Sequence, residues 1–343
     1  MRIKVRFRNR RMEGKGTVTL LKVEHLAVDL VRDGQRYGLV RDVSLEVPAG
    51  GTLAVVGESG SGKSLTALAV MGLLPSELSI SSGTITFDGR ELPDLSARQL
   101  RELRGGDIAM IFQEPMTSLN PVLNVGRQLT EGMRLKLGLT RAEARARAID
   151  LLAEVGIAEP ERRLKEYPHQ FSGGMRQRVM IAIAMSCNPK LILADEPTTA
   201  LDVTIQAQIL TLLSRLCKDH DVGLVLITHN LGIVARHADR VSVMYGGRVV
   251  EEGAARAAFA SPSHPYTVGL LNSVPRLDLP RDHALTPIDG QPPDPMEVVH
   301  GCRFHPRCAW ATEKCAQEVP PLAPQRNTAV ACWHPVYPTV AAQ

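Results

Sequence analysis

The sequence predicts an α/β fold built on a buried parallel sheet, and three observations predict it. Three apolar runs, TLAVVG (52–57), LILA (191–194) and VGLVLIT (222–228), are continuous rather than alternating, as strands covered on both faces are. The first run breaks into the glycines of GESGSGKS (57–64) and resumes as the helical stretch KSLTALAVMGLL, giving strand, loop and helix in succession. The second ends directly in Asp195 and Glu196, at the carboxyl end of a strand, where open α/β sheets place their ligands.

Each element follows in chain order. TVTLLKVEHLAVDL near the start and SGTITFDG (82–89) have the composition of strands and predict a small antiparallel sheet beside the parallel core. In the glycine loop, Gly57, Gly60 and Gly62 free the backbone to curl its N–H groups round an anion, with Glu58, Ser59 and Ser61 between them. The helix opening at Lys63 adds its positive dipole end. Lys63 supplies a mobile point charge for outer phosphates, and Ser64 a hydroxyl for Mg²⁺, which takes few protein ligands. A strand in DIAMIF leads to Gln113, and a largely helical insert follows. Within it, Thr140 and Glu143 fit a capping box and Gly156 a helix stop. FSGGM (171–175) then places a serine and two bare glycines before an amphipathic helix, a second anion site at a helix start. Asp195 reads as a partner of the Mg²⁺ hydration shell and Glu196 as the group that orients or deprotonates an attacking water. His229, delivered by the third buried strand, is a candidate sensor of the terminal phosphate.

In this order and spacing the segments resemble the ATP-binding cassette (ABC) family of transport ATPases, over roughly residues 17–260. The resemblance implies a P-loop NTPase cassette of three parts: a parallel core, an antiparallel β-subdomain and a helical subdomain at about 114–178. It implies ATP and Mg²⁺ as ligands, with Gln113 contacting Mg²⁺ and water, and Glu196 and His229 hydrolysing ATP. Ser172, Gly173, Gly174 and Met175 would be the signature that closes on the nucleotide of a second cassette, so the active form would contain two. The family usually reads LSGGQ there, so Phe171 and Met175 depart from it and the polar contact of the last position is in question. Ala200, Leu201 and Asp202 look like the loop that crosses the dimer interface, and EPMTSLNPVLNVGRQL (114–129) like the region packed on a permease. Tyr37, in RDGQRYG, is the nearest candidate for an adenine-stacking ring, set against an ordinary hairpin residue.

At 343 residues and 44% hydrophobic, the chain can bury a full α/β core and suggests two or three domains. No apolar run approaches the roughly eighteen residues that would span a bilayer, and no apolar segment of a secretory signal follows the basic start. The expected location is therefore the cytoplasmic face of the membrane, reached through a partner. Net charge is +4, yet residues 1–16 hold seven basic residues and one acid, leaving −2 on the rest. The basic character belongs to that tail, read as disordered or as the product of an upstream start codon, with Met12 as the alternative start. The folded body shows no basic face with interleaved aromatics, so nucleic acid is not an expected partner.

After about residue 260 proline becomes frequent and helical periodicity fades. Four of the six cysteines, Cys302, Cys308, Cys315 and Cys332, fall in the last 42 residues with five, six and sixteen residues between them. In a reducing compartment clustered thiols suit a soft metal better than disulfides, and zinc and iron–sulfur are both open. Structural zinc usually draws on pairs two to four residues apart, and the wider spacing leans toward a cluster. Cys187, placed in a helix, and Cys217 read as core residues.

HPYT, LLNSVP and GCRFHPRC look like the C-terminal extension of ATP-binding subunits from dipeptide and oligopeptide importers, including nickel relatives, over 261–343. By that likeness the extension carries a four-iron four-sulfur cluster on the four cysteines. The partners would be a paralogous second ATPase subunit, two permeases and an extracytoplasmic binding protein. A nickel-chelate or glutathione importer is the alternative within the class; a soluble cassette ATPase or a redox or metal-sensing module lies outside it.

Overall fold

A computed structural model describes residues 18–113, 118–199, 201–273, 287–297 and 299–337. The basic tail, Ala200, and part of the segment assigned to a permease therefore lie outside the described residues.

Two sheets organise the chain. The first is antiparallel, in the order β2-β1-β4-β5, with β1 Thr19–Arg32, β2 Gln35–Pro48, β4 Leu78–Phe87 and β5 Arg90–Glu91. Asp33 and Gly34 both have positive φ, +52° and +74°, the backbone that a two-residue hairpin between right-twisted strands requires. RDGQRYG is thus an ordinary hairpin, and Tyr37 sits on β2 opposite Leu30.

The second sheet has the order β11-β12-β10-β9-β3-β8-β7-β6. Its parallel part contains β3 Thr52–Val56, β6 Ile108–Ile111, β7 Leu191–Asp195, β8 Gly223–Thr228 and β9 Arg240–Tyr245. Every residue of β7 and β8 is buried, which explains why their sequences do not alternate. β10 Arg248–Ala254 turns back antiparallel on β9, and β12 Thr328–Val330 and β11 Ala323–Gln325 extend that edge.

One face of the parallel strands shares its core with the helices Val125–Leu137, Arg141–Glu154 and Gly173–Met185; Leu129, Met133, Leu152 and Ile181 pack with Ile192 and Leu226. The Thr140 and Glu143 capping box forms as expected, and Gly156 follows that helix at φ +78°. Cys187, expected in a helix, lies just beyond the helix ending at Met185, buried and facing Gly132. Cys217 is buried too, and burial pushes its thiol up to about 12.

The segment after residue 260 departs from expectation. Pro265–Asn272 is a helix, opened by Pro265 at its first turn and by the His264 ring, whose Nδ1 accepts from the Tyr266 N–H at 3.0 Å. Eight residues are too few for periodicity to register. The join to the sheet is a buried carboxylate. Glu251 of β10 accepts the N–H groups of Ser263 and His264 at 2.9 Å each, and the Thr328 hydroxyl at 3.3 Å. Burial holds Glu251 above the usual carboxylate range and lowers His264 to about 3.

A pH dependence follows with a definite sign. The unfolded chain protonates His264 near 6.5, while the folded chain resists until about 3, so the unfolded state binds more protons between those values. Stability should therefore fall as pH drops below about 6.5, with Glu251 working in the opposite sense. Denaturant midpoints at pH 7, 6 and 5 should show this decline in the wild type and a flatter one in His264→Asn; an unchanged slope in the variant would assign the decline to other groups.

Candidate nucleotide site

The phosphate loop runs from the end of β3 into the helix Lys63–Met71, as the sequence predicts. Its glycines are there for fit. Gly57 has φ +151°, and a Cβ there would be driven into the Met244 carbonyl; Gly62 has φ +98° and lies against Leu39 and Val40 of β2. The Gly247 N–H, in the turn after β9, donates to the Ser61 carbonyl at 3.1 Å.

Lys63 is folded into this loop. Its Nζ donates to the carbonyls of Gly57 and Glu58 at 2.8 Å and to the Ser61 Oγ at 3.2 Å. Burial lowers its pKa, while Glu196, Asp195 and Glu58 oppose that shift, so three carboxylates lie close enough to act on one ammonium. Ser59 and Gly60 are exposed, with Pro295 the nearest neighbour above Gly60.

Ser64 and Asp195 meet, although 131 residues separate them: the Ser64 hydroxyl donates to Asp195 Oδ1 at 2.9 Å. Asp195 is buried, and that burial raises its pKa against the Ser64 hydrogen bond. A hydroxyl and a carboxylate converging beside the loop are the hard oxygen donors a small divalent cation accepts.

Glu196 gathers the other candidates. Its carboxylate accepts from Gln113 Nε2 at 3.1 Å and from the Thr199 hydroxyl at 3.0 Å, and the His229 Nδ1 lies 3.3 Å from its other oxygen. Its backbone is left-handed at φ +44°, which costs a non-glycine residue about 1–3 kcal/mol and persists because neighbours fix it. The Glu196 N–H donates to the Ile227 carbonyl of β8, anchoring that turn. Thr199 was not singled out in the sequence; its position three residues after Glu196 was the available signal.

The signature lies elsewhere in the fold. Ser172 caps the helix Gly173–Met185 by accepting from the Met175 N–H at 3.3 Å, and Ser172 and Gly173 are exposed. Gly173 and Gly174 approach Leu201 and Ile205, so the signature packs on the start of the helix Val203–Asp219. Asp202 has a local role there, accepting the Ile205 N–H at 2.9 Å as the cap of that helix. Met175 packs into the helical core beside buried Phe171 rather than presenting a polar group. Tyr37 is two residues before Leu39, which lies against Gly62, but its hydroxyl is engaged by Gln35 at 2.6 Å.

The four C-terminal cysteines are free thiols lining one small pocket, with Phe304, Trp310 and Trp333 also in its wall. Burial raises Cys302, Cys308 and Cys332, the last to about 11, and the other three cysteines act on Cys332 in the same direction. Among the described residues, no group of three or more His, Cys, Asp or Glu side chains is drawn together as for a single metal ion.

Sheet, loop and acidic turn together define a phosphate-loop ATPase cassette. Comparison with known proteins narrows this. The ABC transporter family profile matches residues 40–199, and the profile of the oligopeptide/dipeptide transporter C-terminal region matches residues 250–315. The chain is 50% identical over 317 residues to the oligopeptide transport ATP-binding protein OppD of Salmonella typhimurium, covering 92% of this chain and 94% of that one. It is 48% identical over 316 residues to the dipeptide transport ATP-binding protein DppD of Bacillus subtilis, with the same coverage. Among solved structures, the dimeric bacterial ABC transporter cassette MJ0796 superposes with a TM-score of 0.62 at 28% identity, over 69% of this chain and 99% of that one. The chain belongs to the ABC transporter family, as an ATP-binding subunit that carries the C-terminal region of its oligopeptide/dipeptide transporters.

Gly57→Ala should abolish MgATP binding, because the loop cannot keep its curve with a methyl group against Met244. Equilibrium titration with a fluorescent ATP analogue checks this, and binding within threefold of wild type would refute the packing argument.

Proposed function

We propose that the chain hydrolyses ATP to power a membrane importer of dipeptides or oligopeptides, with the cassette at about 17–260 and the extension at 261–343. The observation that carries this reading is the convergence of Ser64 with Asp195, and of Gln113 and His229 with Glu196, at one end of the parallel sheet. Lys63 and the N–H groups of the loop from Ser59 to Ser64 would hold the phosphates, exchanging Lys63's present carbonyl partners for phosphate oxygens. Ser64, Asp195 and Gln113 would hold Mg²⁺, which neutralises charge on the transferred phosphoryl group. Glu196 would take or orient the proton of the attacking water, with His229 beside it facing solvent where the terminal phosphate ends. Tyr37, on the strand that passes the loop, would offer its ring face to adenine.

One cassette would supply one phosphate loop and one signature to a pair. Ser172 and Gly173 are exposed at a helix start, as a surface that meets phosphate from a second subunit must be. Asp202 lies beside that surface through Leu201. The dimeric cassette among the similar structures supports the pairing. The second cassette would be a paralogue, and two permeases and an extracytoplasmic binding protein would complete the importer. No helix among the described residues is long and apolar enough to cross a membrane, so attachment to the cytoplasmic face would run through the permeases.

Cys302, Cys308, Cys315 and Cys332 would hold a four-iron four-sulfur cluster. Soft thiolates on one pocket wall suit it, and their wide spacing along the chain favours a cluster over structural zinc, whose ligands usually come in pairs two to four residues apart. The His334 N–H, 3.4 Å from Cys332 Sγ, is the kind of donor that stabilises ligating sulfur. The cluster would tie together an extension with a small core of its own.

Glu196→Gln should keep MgATP binding and lower the hydrolysis rate by roughly a hundredfold or more, the contribution of a general base. Wild-type turnover in that variant, measured by phosphate release, would remove Glu196 from the role. For the function itself, the tagged chain should be purified from membranes in mild detergent without oxygen and its companions identified by mass spectrometry. Two permeases and a second cassette are expected; recovery alone, or with nucleic-acid machinery, would refute the importer.

A further inference from the structure

One residue of the phosphate loop does not suit a phosphate site. Glu58 places a carboxylate in a loop that must receive a polyanion, close enough for its charge to act on Lys63. Its partner comes from 249 residues away. Arg307, between Cys302 and Cys308 in the extension, forms a two-pronged ion pair with it: Nη1 to Glu58 Oε2 at 2.7 Å and Nη2 to Oε1 at 3.2 Å. The remaining guanidinium donors are also engaged, Nε to the Asp289 carbonyl at 2.8 Å, Nη2 to the Ile288 carbonyl at 3.3 Å, and Nη1 to the Tyr245 hydroxyl at 3.2 Å. The Arg307 side chain is only 5% exposed, so this is a fixed pair rather than a solvated surface contact.

A second contact reaches the same loop residue. The Glu58 N–H donates to the hydroxyl of Tyr266 at 2.8 Å, and Tyr266 is fully buried. Tyr266 packs on Tyr245 at 4.5 Å and on Phe304 at 5.5 Å between ring centres, and Arg307 lies over the Tyr245 ring. Phe304 is two residues from Cys302, so the aromatic cluster joins the cysteine segment directly to the nucleotide loop.

We propose that Arg307 and Tyr266 are positioning residues for the nucleotide: the extension braces the phosphate loop at Glu58 and cancels a carboxylate that would otherwise repel ATP. This rests on the nucleotide-site reading above. The extension is then a working part of the ATP site, and a rearrangement between Cys302 and Cys308 is felt as a change in ATP affinity.

The charge argument makes a prediction that a purely structural contact does not. Arg307→Gln leaves Glu58 unpaired beside the phosphates and should weaken MgATP binding about tenfold, within the range of coupled neighbouring charges. Glu58→Gln combined with Arg307→Gln removes both charges and should restore affinity to within about threefold of wild type. The test is isothermal titration of the purified full chain with MgATP, with the melting temperature of each nucleotide-free variant measured alongside. Arg307→Gln binding within twofold of wild type, or a double variant no better than Arg307→Gln, would overturn the proposal. Should Arg307→Gln not fold, Tyr266→Phe decides: it keeps the packed ring and loses one acceptor. Affinity reduced about threefold at an unchanged melting temperature is expected, and wild-type affinity overturns the brace. A wild-type chain that binds no MgATP would instead refute the nucleotide-site reading.

Discussion

The nucleotide site depends on how closely the phosphate loop lies against the turn between β9 and β10. Gly57 meets the Met244 carbonyl with no room for a side chain, the Gly247 N–H holds the Ser61 carbonyl, and the Gly247 carbonyl in turn accepts the Arg41 N–H at 2.7 Å. Two segments distant in sequence, the turn after β9 and strand β2, are thereby fixed around one loop. Such a loop can present its N–H groups to phosphate without first becoming ordered, which is where pre-organised sites save free energy.

The same strand pair carries the extension. β10 follows the turn immediately, and its Glu251 accepts two backbone N–H groups and a hydroxyl in full burial. A buried carboxylate with so many donors tolerates few alternative arrangements, since any that breaks these bonds leaves a charge unpaired in the core. The edge continues through β12 and β11, so the extension adds strands to the cassette's own sheet instead of hanging from it. This continuity explains how Tyr266 and Arg307 can hold positions at the loop that a flexible appendage could not.

Much of this was legible in the chain, for identifiable reasons. β3, β7 and β8 announce themselves because burial on both faces leaves only apolar residues, and the loop announces itself because its glycines have no substitutes. The capping box at Thr140 was legible since its partners are three residues apart. Legibility ends where contacts are long-range. Nothing near Glu58 or Arg307 indicates that they pair, and Asp202 gives no local sign of whether it caps a helix or faces a partner. The helix Pro265–Asn272 was missed because proline signals a break in general but a start when it stands in the first turn.

Glu196 brings these constraints together. Its left-handed backbone is unfavourable alone, and the groups that hold it arrive from the end of β6 through Gln113, the end of β8 through His229 and Ile227, and its own turn through Thr199. A slip in the register of β6, β7 or β8 would scatter these partners to the opposite face. The acid is therefore placed by the pairing of three parallel strands, the same pairing that sets Asp195 against Ser64. In this cassette the sheet core and the chemistry at its edge are specified by one set of contacts.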